Sequence, residues 1–509
     1  MFVRKKKNKS GSFSVQILKK EGRKNILVKT VGSSKDLSRV EELYQEALRL
    51  IPVLEKQSTF NFISENDEKI LAFSQTLNNA NISMVGAELV FGTLFNRIGF
   101  DAIKNPLFKD LVISRIVYQG SKLKLVEYLR RYEHREVSIS SIYRFLDKLN
   151  SQYKEEVETI AFKHTQKILN NITVVFYDMT TLYFEAQDED DFRKIGFSKD
   201  GKFQDPQIML GLLVGEKGYP IGYELFEGNT FEGHTLIPVL EKFQKKFHLC
   251  KPIIVADSGL LSKKNIQQLK AKGYAYIIGA RIKNESDALS KKIMELNLSA
   301  DGDVAAIEKE DGERLIITYT DKRAKKDRHN RQKGLVRLEK RVRSGKLSKE
   351  HINARGYNKY LTLKNEVKVE IDYQKFKADG AWDGLKGYVT NTTLPCKAVV
   401  ENYANLWHIE KAFRMSKSDL QIRPIYHYAK RRIEAHISIS FVAYTLYKEL
   451  ERLLYKYHAP FSIATATDLV KTMYQLEITL PDSKQTEKIL LNMDEEQKIL
   501  LQIIHDELG

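Results

Sequence analysis

Apolar residues recur with different spacings along the chain, and the changes in spacing divide it into regions. Residues 1–35 alternate apolar and polar positions, which predicts a small β-hairpin arm. Residues 36–170 show helical spacing, and within them 122–149 contains two amphipathic stretches around a short polar break. That pair is typical of a helix-turn-helix that reads DNA, although two packed helices with no such role fit it equally well.

The pattern changes to strands at residue 171. Residues 173–178 and 252–257 are near-continuous apolar runs rich in β-branched residues, and each ends in an aspartate. Between them, 208–214 and 221–226 flank a turn that contains glycine and proline. Helical and strand patterns then alternate to residue 283. This order predicts an α/β fold in which a mixed sheet is covered by helices.

Residues 284–383 interrupt this order with short alternating apolar pieces and a basic run, which predicts a β-rich insertion domain. Helical spacing returns in 384–450, and we expect that stretch to complete the α/β domain. Residues 451–509 are predicted to form a helical C-terminal region.

The charge distribution indicates a class of binding partner. The 509 residues include 83 Lys+Arg against 66 Asp+Glu, a net charge of +17. Segments 1–29 and 321–346 each carry a net charge of +9 and together account for the whole excess. Such segments indicate a polyanion, either nucleic acid or an anionic membrane surface. Neither segment is a strongly amphipathic helix, so nucleic acid is favoured.

The cysteines and the lengths of the apolar runs indicate where in the cell the protein is located. The two cysteines, Cys250 and Cys396, lie far apart and form no metal-binding or disulfide pattern. The basic start lacks the apolar stretch of a secretory signal, and no apolar run approaches about 18 residues. We therefore expect a soluble intracellular protein with no membrane partner.

A third acid joins the two strand-end aspartates. In the helical stretch around Glu410, one face within about 80° also carries Tyr403, Trp407, Arg414 and Lys417. A core face would be aliphatic, and a solvent face would have little use for tryptophan and tyrosine. This mixture suits a helix that sets a carboxylate beside a nucleic-acid backbone.

The chemistry of these acids points to a metal. Asp178, Asp257 and Glu410 offer only oxygen ligands, which suit Mg²⁺ or Mn²⁺. A pair of such ions about 3.5–4 Å apart would act on a phosphodiester. Glu185 and Glu232 compete for supporting roles, whereas the acidic run 188–191 is better explained as a solvated loop.

Four motifs now resemble a known family: 177–185 (YDMTTLYFE), 228–232 (GNTFE), 255–259 (VADSG) and the Tyr403-x2-Leu406-x3-Glu410-x6-Lys417 spacing. Together they resemble the DDE transposases of bacterial insertion sequences, in the IS-four superfamily with its Tyr-Arg-Glu-Lys signature. The resemblance covers about 170–450. The signature arginine is Leu406 here, which removes one expected phosphate contact.

The resemblance implies an RNase H-like catalytic fold with the insertion between its second and third acids. It implies Asp178, Asp257 and Glu410 as the catalytic, metal-binding triad, with two Mg²⁺ or Mn²⁺ ions and no small-molecule cofactor. It also implies that Tyr403 and Lys417 contact phosphates at the transposon end.

Other candidate DNA contacts come from the residues alone. Arg414 and Trp407 share the face of Glu410, although a surface ion pair and a packing role explain them equally well. The remaining candidates lie in the two basic segments: Lys5, Lys6, Lys7, Lys325, Lys326, Arg328 and Arg331.

These features predict a transposase that binds terminal inverted repeats, cleaves the ends and transfers 3′-hydroxyls to target DNA. The expected partners are DNA and a second copy of the chain, in the bacterial cytoplasm near the nucleoid. Two alternatives stay open: a metal-dependent nuclease of the same fold without strand transfer, and a DNA-binding protein with a decayed active site.

Overall fold

The structure is a computed structural model that describes residues 1–509 except 59–63, 186–187, 199–200, 249–250, 261, 310–311, 346, 348, 354–355, 365–367, 481–482 and 509. Two compact units make up the chain. One comprises Met1–Asn81 with Ile478–Gln485, and the other comprises Ile82–Glu477 with Thr486–Gly509.

The first unit is an antiparallel sheet covered by a helix. Its strands are β1 (Phe2–Lys7), β2 (Phe13–Glu21) and β3 (Lys24–Ser34). Helix α1 (Leu37–Ser58) packs on them through Val40 and Leu43, which contact Val15 and Ile17 in the core. A second helix, α2 (Glu65–Ser74), begins with a capping box. The predicted arm ended at residue 35, but the apolar face of β2 needs α1 to cover it, so the unit extends further.

The second unit opens with a short strand and a group of helices. These are β4 (Ile82–Met84), α3 (Thr93–Ile98), α4 (Pro106–Val117), α5 (Lys122–Tyr132), α6 (Ile139–Lys148) and α7 (Lys154–Leu169). Helices α5 and α6 begin at serine N-caps, Ser121 and Ser138, and occupy the stretch of the predicted helix-turn-helix. Reading of DNA by this pair stays a prediction.

A mixed sheet forms the centre of this unit. Within the described residues it has eight strands, ordered β10-β11-β14-β9-β8-β5-β6-β7. Strands β5, β6 and β7 form an antiparallel meander, β8 and β9 run parallel to β5, and β14 and β11 continue antiparallel. The strands are β5 (Val174–Tyr183), β6 (Gln207–Val214), β7 (Pro220–Glu227), β8 (Ile253–Ala256), β9 (Tyr276–Ala280), β10 (Val304–Glu308), β11 (Arg314–Tyr319) and β14 (Leu385–Thr390).

Helices cover both faces of the sheet, as the alternation of helix and strand predicted. One face packs against α8 (Leu236–Phe247), α9 (Lys263–Ala271) and α10 (Asp287–Glu295). The other packs against α13 (Cys396–Ala404), α14 (Trp407–Arg414) and the long buried helix α15 (Lys430–Lys456).

The region predicted as a β-rich insertion is organised differently. Strands β10 and β11 extend the central sheet, because the apolar run Leu315–Ile317 of β11 is fully buried beside β14. What lies between β11 and β14 is a basic helix with a small hairpin. These elements are α11 (Asp321–Arg343), β12 (Leu361–Lys364), β13 (Lys368–Ile371) and α12 (Tyr373–Ala378).

The C-terminal region also differs from the all-helical expectation. Helices α16 (Ile463–Leu469) and α17 (Glu495–Leu508) flank two strands, β15 (Tyr474–Thr479) and β16 (Thr486–Leu490). Residues 474–476 of β15 pair with β4, so this segment is held as a strand by a partner distant in sequence. In the described part of the chain, no helix is long and apolar enough to cross a membrane. Cys396 is a free thiol, and Cys250 lies outside the described residues.

Candidate active site

Two of the predicted acids are neighbours on adjacent parallel strands. Strand β5 pairs with β8 so that Tyr177 lies opposite Ala256, and the next residue on each strand is Asp178 and Asp257. Asp257 follows the last residue of β8, as predicted. The prediction that Asp178 ends its strand is wrong, because β5 continues to Tyr183 through its pairing with β6.

Residues of β9 and β14 lie level with these two aspartates, and together they form one row across the sheet. Strand β9 is parallel to β8, with Ile278 beside Ala256, so Gly279 falls level with Asp257. Tyr388 of β14 pairs directly with Gly279. Since side chains alternate between the two faces of a sheet, residues of one row share a face. For this row it is the face that α13 and α14 cover.

Tyr403 connects the covering helix to this row. The side chain is buried, and its hydroxyl donates a hydrogen bond to Asp257 Oδ1 over 3.0 Å. A Cβ on Gly279 would lie 2.5 Å from the Tyr403 oxygen, so a side chain there would displace the ring. Gly279 is therefore required by space and not by backbone conformation.

The charge of Glu410 acts on two groups of the same cluster. Burial raises the pKa of Tyr403, and the negative charges of Asp257 and Glu410 raise it further. Lys386 of β14 lies with its Nζ 4.4 Å from the centre of the Tyr403 ring. Burial and Arg323 lower the pKa of Lys386, while Asp257 and Glu410 act in the opposite direction. Both carboxylates therefore act on the same two groups.

The segment that contains Glu232 is fixed beside this row from the other face of β5. The buried hydroxyl of Tyr177 donates to Thr235 Oγ1 over 2.8 Å, and Thr235 Oγ1 donates to the Glu232 carbonyl over 2.7 Å. A Cβ on Gly259 would lie 3.5 Å from Glu232 Oε2. Glu232 thus borders the loop that follows Asp257, whereas Glu185 lies exposed just past β5.

The acids fit a hard divalent cation by their chemistry. Asp178 is half-buried, Asp257 and Glu410 are exposed, and all three supply oxygen, the ligand atom that Mg²⁺ and Mn²⁺ prefer. Among the described residues, no three His, Cys, Asp or Glu side chains lie close enough together to form a metal cluster. The two aspartates are adjacent by strand register, and the third acid stands on a separate helix.

The predicted single stripe around Glu410 is broken in two. Helix α13 ends at Ala404 and α14 begins at Trp407, so Tyr403 and Trp407 belong to different helices. Trp407 is 49% exposed and lines a separate cleft of about 1060 Å³. Leu406, at the position of the signature arginine, is buried in the core.

The two remaining residues of the stripe lie beyond Glu410. Arg414 is exposed at the end of α14, and Lys417 is half-buried in the π-helical turn Met415–Asp419. Contacts of Tyr403, Trp407, Arg414 and Lys417 with DNA stay predictions.

The basic candidates of the insertion divide into two kinds. Lys325, Lys326 and Arg328 are exposed on α11. Arg331 is instead largely buried, and its Nη2 donates to Asp383 Oδ2 over 2.5 Å. The structure thus pairs Arg331 with Asp383 within the insertion. Contacts of all four residues with DNA stay predictions.

The N-terminal candidates lie on β1. Lys5, Lys6 and Lys7 are exposed, and Lys5 forms an ion pair with Glu41 of α1 at 2.5 Å and lies over the Tyr44 ring. An exposed pair of this kind contributes little to stability and can exchange for a phosphate. Their contact with DNA also stays a prediction.

Three residues near the row were not predicted. Gly279 and Lys386 lie on strands that the sequence did not align with Asp257, and Arg281 Nη2 donates to the Ser258 carbonyl over 3.2 Å. Only the strand register brings them to the acids. An isolated glycine or lysine in a strand pattern carries no sign of such a role.

The comparisons with known proteins decide the family. The family model of the transposase DDE domain matches residues 170–446, which is more than half of the chain. The chain belongs to the DDE transposase family. The match begins just before β5 and ends within α15, so it contains Asp178, Asp257 and Glu410. No curated protein matches the chain.

Several solved structures are similar to the chain. One is the piggyBac transposase synaptic complex with hairpin DNA, at 10% identity over 79% of each chain, with a TM-score of 0.38. The Mos1 transposase paired-end complex matches at 13% identity over 31% of this chain and 53% of its own, with a TM-score of 0.16. The Drosophila P element transposase strand transfer complex matches at 11% identity over 68% and 80%, with a TM-score of 0.21. The family assignment rests on the family model and not on these scores.

Proposed function

We propose that the chain is a DNA transposase that binds the inverted repeats of its element, cleaves at their ends and joins the 3′-hydroxyls to target DNA. The observation that carries this proposal is the strand register of Asp178 and Asp257 beneath the helix of Glu410, inside the region that the DDE family model matches. An RNase H-like core, in which a meander is followed by two parallel strands, is part of the same proposal.

The two reactions are exchanges at phosphorus. Cleavage replaces the P–O3′ bond at the element end with a P–O bond to water, and the released 3′ oxygen takes a proton. Strand transfer replaces a P–O3′ bond of the target with a P–O bond to that 3′ oxygen, which gives up its proton, while the displaced 3′ oxygen of the target takes up a proton. In each step phosphorus exchanges one P–O bond for another, so neither step needs an oxidant or a nucleotide cofactor.

Asp178, Asp257 and Glu410 are the residues that would hold Mg²⁺ or Mn²⁺. Such ions, when bound, activate the attacking oxygen and stabilise the leaving one. The contribution of Tyr403 is to hold Asp257, since its hydroxyl occupies one carboxylate oxygen and fixes the orientation of the other. Lys386 and Arg281 place positive charge beside the row, where the phosphates of a bound strand would lie.

The exposed cations of β1 and α11 would bind DNA phosphates outside the reaction centre. A second copy of the chain would be needed to bring two ends together, and we propose a homodimer for that purpose. We place the protein in the bacterial cytoplasm at the nucleoid. Binding to phosphates releases counterions, so we expect the logarithm of the DNA affinity to fall with the logarithm of the salt concentration. The expected slope is about −0.9 per neutralised phosphate.

The experiment uses DNA that flanks the gene. Purified protein is incubated with that DNA and Mg²⁺ or Mn²⁺, and all new ends and joined products are sequenced, with Asp257→Asn as the control. Paired cuts at inverted repeats together with joined products support the proposal. Cuts without joining support a nuclease, and identical behaviour of the variant contradicts the assignment of Asp257.

A further inference from the structure

A pocket of about 500 Å³ lies outside the carboxylate row, among the helices that precede the central sheet. Its walls come from the end of α4, the start of α5 and the segment 421–427 that leads to α15. None of the three predicted catalytic acids lines it. It is therefore a separate site within the second unit.

Two buried cations line this pocket. Arg115 is 5% exposed and Lys122 is 6% exposed. Arg115 donates from Nη1 to the Gln421 carbonyl over 3.2 Å, whereas its buried Nε has no hydrogen-bond partner in the described structure. Within the described part of the chain, no carboxylate forms an ion pair with either side chain. Buried charges in proteins are normally paired, so this arrangement lacks an anion.

The other titratable groups of the pocket do not supply that anion. His427 and His436 line the same walls, and burial together with Lys122 and Arg115 lowers the pKa of both. His436 does not pair with either cation. Its Nε2 contacts the Ile422 carbonyl at 2.9 Å, and its buried Nδ1 has no partner among the described atoms. Apart from Asp147, which is paired with Arg431 and Arg432, the charged groups that act on these two histidines are positive.

The start of α5 adds backbone donors. Ser121 caps this 11-residue helix by accepting from the Lys124 amide, and the first turn lines the pocket. The N-terminus of a helix carries a partial positive charge and free amide groups, which bind phosphate. The start of α5, the buried Arg115 guanidinium and the buried Lys122 amino group, whose pKa is lowered by burial and by Arg115, line one pocket.

The pocket also lies along the course of β5. Arg423 on its wall stacks over the ring of Tyr183, the last residue of β5, at 5.4 Å. Tyr183 is five residues past Asp178, about 16 Å along β5, and its side chain projects from the opposite face of the strand. At the rim, the ring of Tyr426 is 62% exposed.

We propose that the pocket of Arg115, Lys122 and the α5 N-terminus binds a phosphate group. That group comes either from a bound DNA strand or from a free phosphate or pyrophosphate. The DNA source rests on the proposed function, whereas binding of a free anion does not.

The test begins with the unmodified protein. Calorimetric titration with inorganic phosphate and with pyrophosphate, in the absence of DNA and metal, measures binding of a free anion. Titration with nonspecific duplex DNA at several salt concentrations measures binding of DNA. Because neither measurement involves cleavage, failure of the transposase proposal and failure of this one are distinguishable.

The diagnostic variant is Lys122→Met, which removes the charge and keeps the length of the side chain. We expect its thermal midpoint without ligand to rise, because a buried amino group without an ion-pair partner has been replaced by an apolar side chain. The matched control is Lys448→Met, since Lys448 is equally buried but forms an ion pair with Glu451. That control should lower the midpoint and leave anion binding unchanged.

Free phosphate or pyrophosphate that binds the wild type, and binds Lys122→Met about tenfold more weakly or not at all, supports a free-anion source. DNA affinity that falls about tenfold in Lys122→Met, with a salt slope smaller by about 0.9, supports a DNA source. The proposal is overturned if the wild type binds neither anion and the variant and control bind DNA as tightly as the wild type.

Discussion

The buried hydroxyl of Tyr403 donates a hydrogen bond to Asp257 Oδ1 across 3.0 Å. This bond connects α13 to the residue that follows β8, and it reaches past a strand that carries Gly279 at the same level. Asp257, one of two neighbouring carboxylates, is therefore held by the layer of helices that covers this face of the sheet. The orientation of Asp257 depends on both the sheet register and the helix.

Tyr403→Phe removes this bond and keeps the ring. We expect a folded protein that is less stable by about 1 kcal/mol, with a cleavage rate about tenfold lower because Asp257 is no longer oriented. Urea unfolding and single-turnover cleavage measure the two effects. Because burial and neighbouring acids raise the pKa of Tyr403, its hydroxyl stays a donor at alkaline pH below 10, and the rate should show no loss from its ionisation there. The control is Tyr388→Phe on β14, the strand that pairs with the Gly279 strand β9. Equal rate losses in both variants would contradict the role of Tyr403.

Gly279→Ala tests the space around the same bond. The new Cβ would lie 2.5 Å from the Tyr403 oxygen but 3.1 Å from the nearest ring carbon. The single variant should therefore lose stability and cleavage, and Tyr403→Phe should restore part of that stability in the double variant. A double-mutant cycle by urea unfolding measures the coupling. Additive free energies of unfolding would mean that the Tyr403 hydroxyl does not meet the side chain at residue 279.

The basic helix α11 offers a comparison between exposed and paired cations. Lys325→Gln, Lys326→Gln and Arg328→Gln should each weaken DNA binding and reduce the salt slope by up to about 0.9, with no change in stability. Arg331→Met should instead leave Asp383 buried without its partner and cost about 3–5 kcal/mol. Fluorescence anisotropy across a salt series and urea unfolding distinguish the two. Unchanged salt slopes in all three glutamine variants would exclude α11 from the DNA interface.

Acid stability should depend on Glu449 in α15. Burial raises its pKa, but His164 and Arg452 more than offset this and hold it at about 2, against 4.5 for a free side chain. A lowered folded-state pKa stabilises the protein above pH 4.5, and that contribution, of the order of 3 kcal/mol, is lost as the pH falls toward 2. Glu449→Gln should be less stable at pH 7 and lose less stability between pH 4.5 and 2.5.

Urea unfolding at pH 7, 4.5 and 2.5 measures this difference. The control is Glu495→Gln, because Glu495 forms only an exposed ion pair with Lys498 and contributes little. An acid transition of Glu449→Gln that matches the wild type would show that another carboxylate governs it.

Much of the sheet could be predicted because its strands are buried apolar runs with clear turns between them. The pattern placed β6, β7 and β8 within one residue of their observed bounds, and it placed Asp257 at the end of its strand, one residue past the observed last residue. Asp178 was also found, although polar Thr180 and Thr181, which continue β5, hid the true end of that strand. Local pattern suffices where burial alone decides the structure.

The rest depended on contacts between residues distant in sequence. Strands β10 and β11 looked like a separate β-rich piece, because nothing local shows that β14 will pair with them. The helical wheel assumed an unbroken helix from Tyr403 to Lys417, but the chain breaks between α13 and α14, which separates Tyr403 from Trp407. The ion pair of Arg331 with Asp383 was missed for the same reason, and the sequence offered Arg331 only as a candidate DNA contact.

The central claim is that Asp178, Asp257 and Glu410 act together on the DNA backbone. The most direct measurement is single-turnover cleavage of a mapped element end by Asp178→Asn, Asp257→Asn and Glu410→Gln, with binding measured in parallel. The control is Glu401→Gln, which neutralises an exposed acid on α13. The account predicts that the three variants bind the end as the wild type does and cleave it at least about 10²–10³-fold more slowly, while the control is unaffected. Cleavage at the wild-type rate by any of the three would contradict the account.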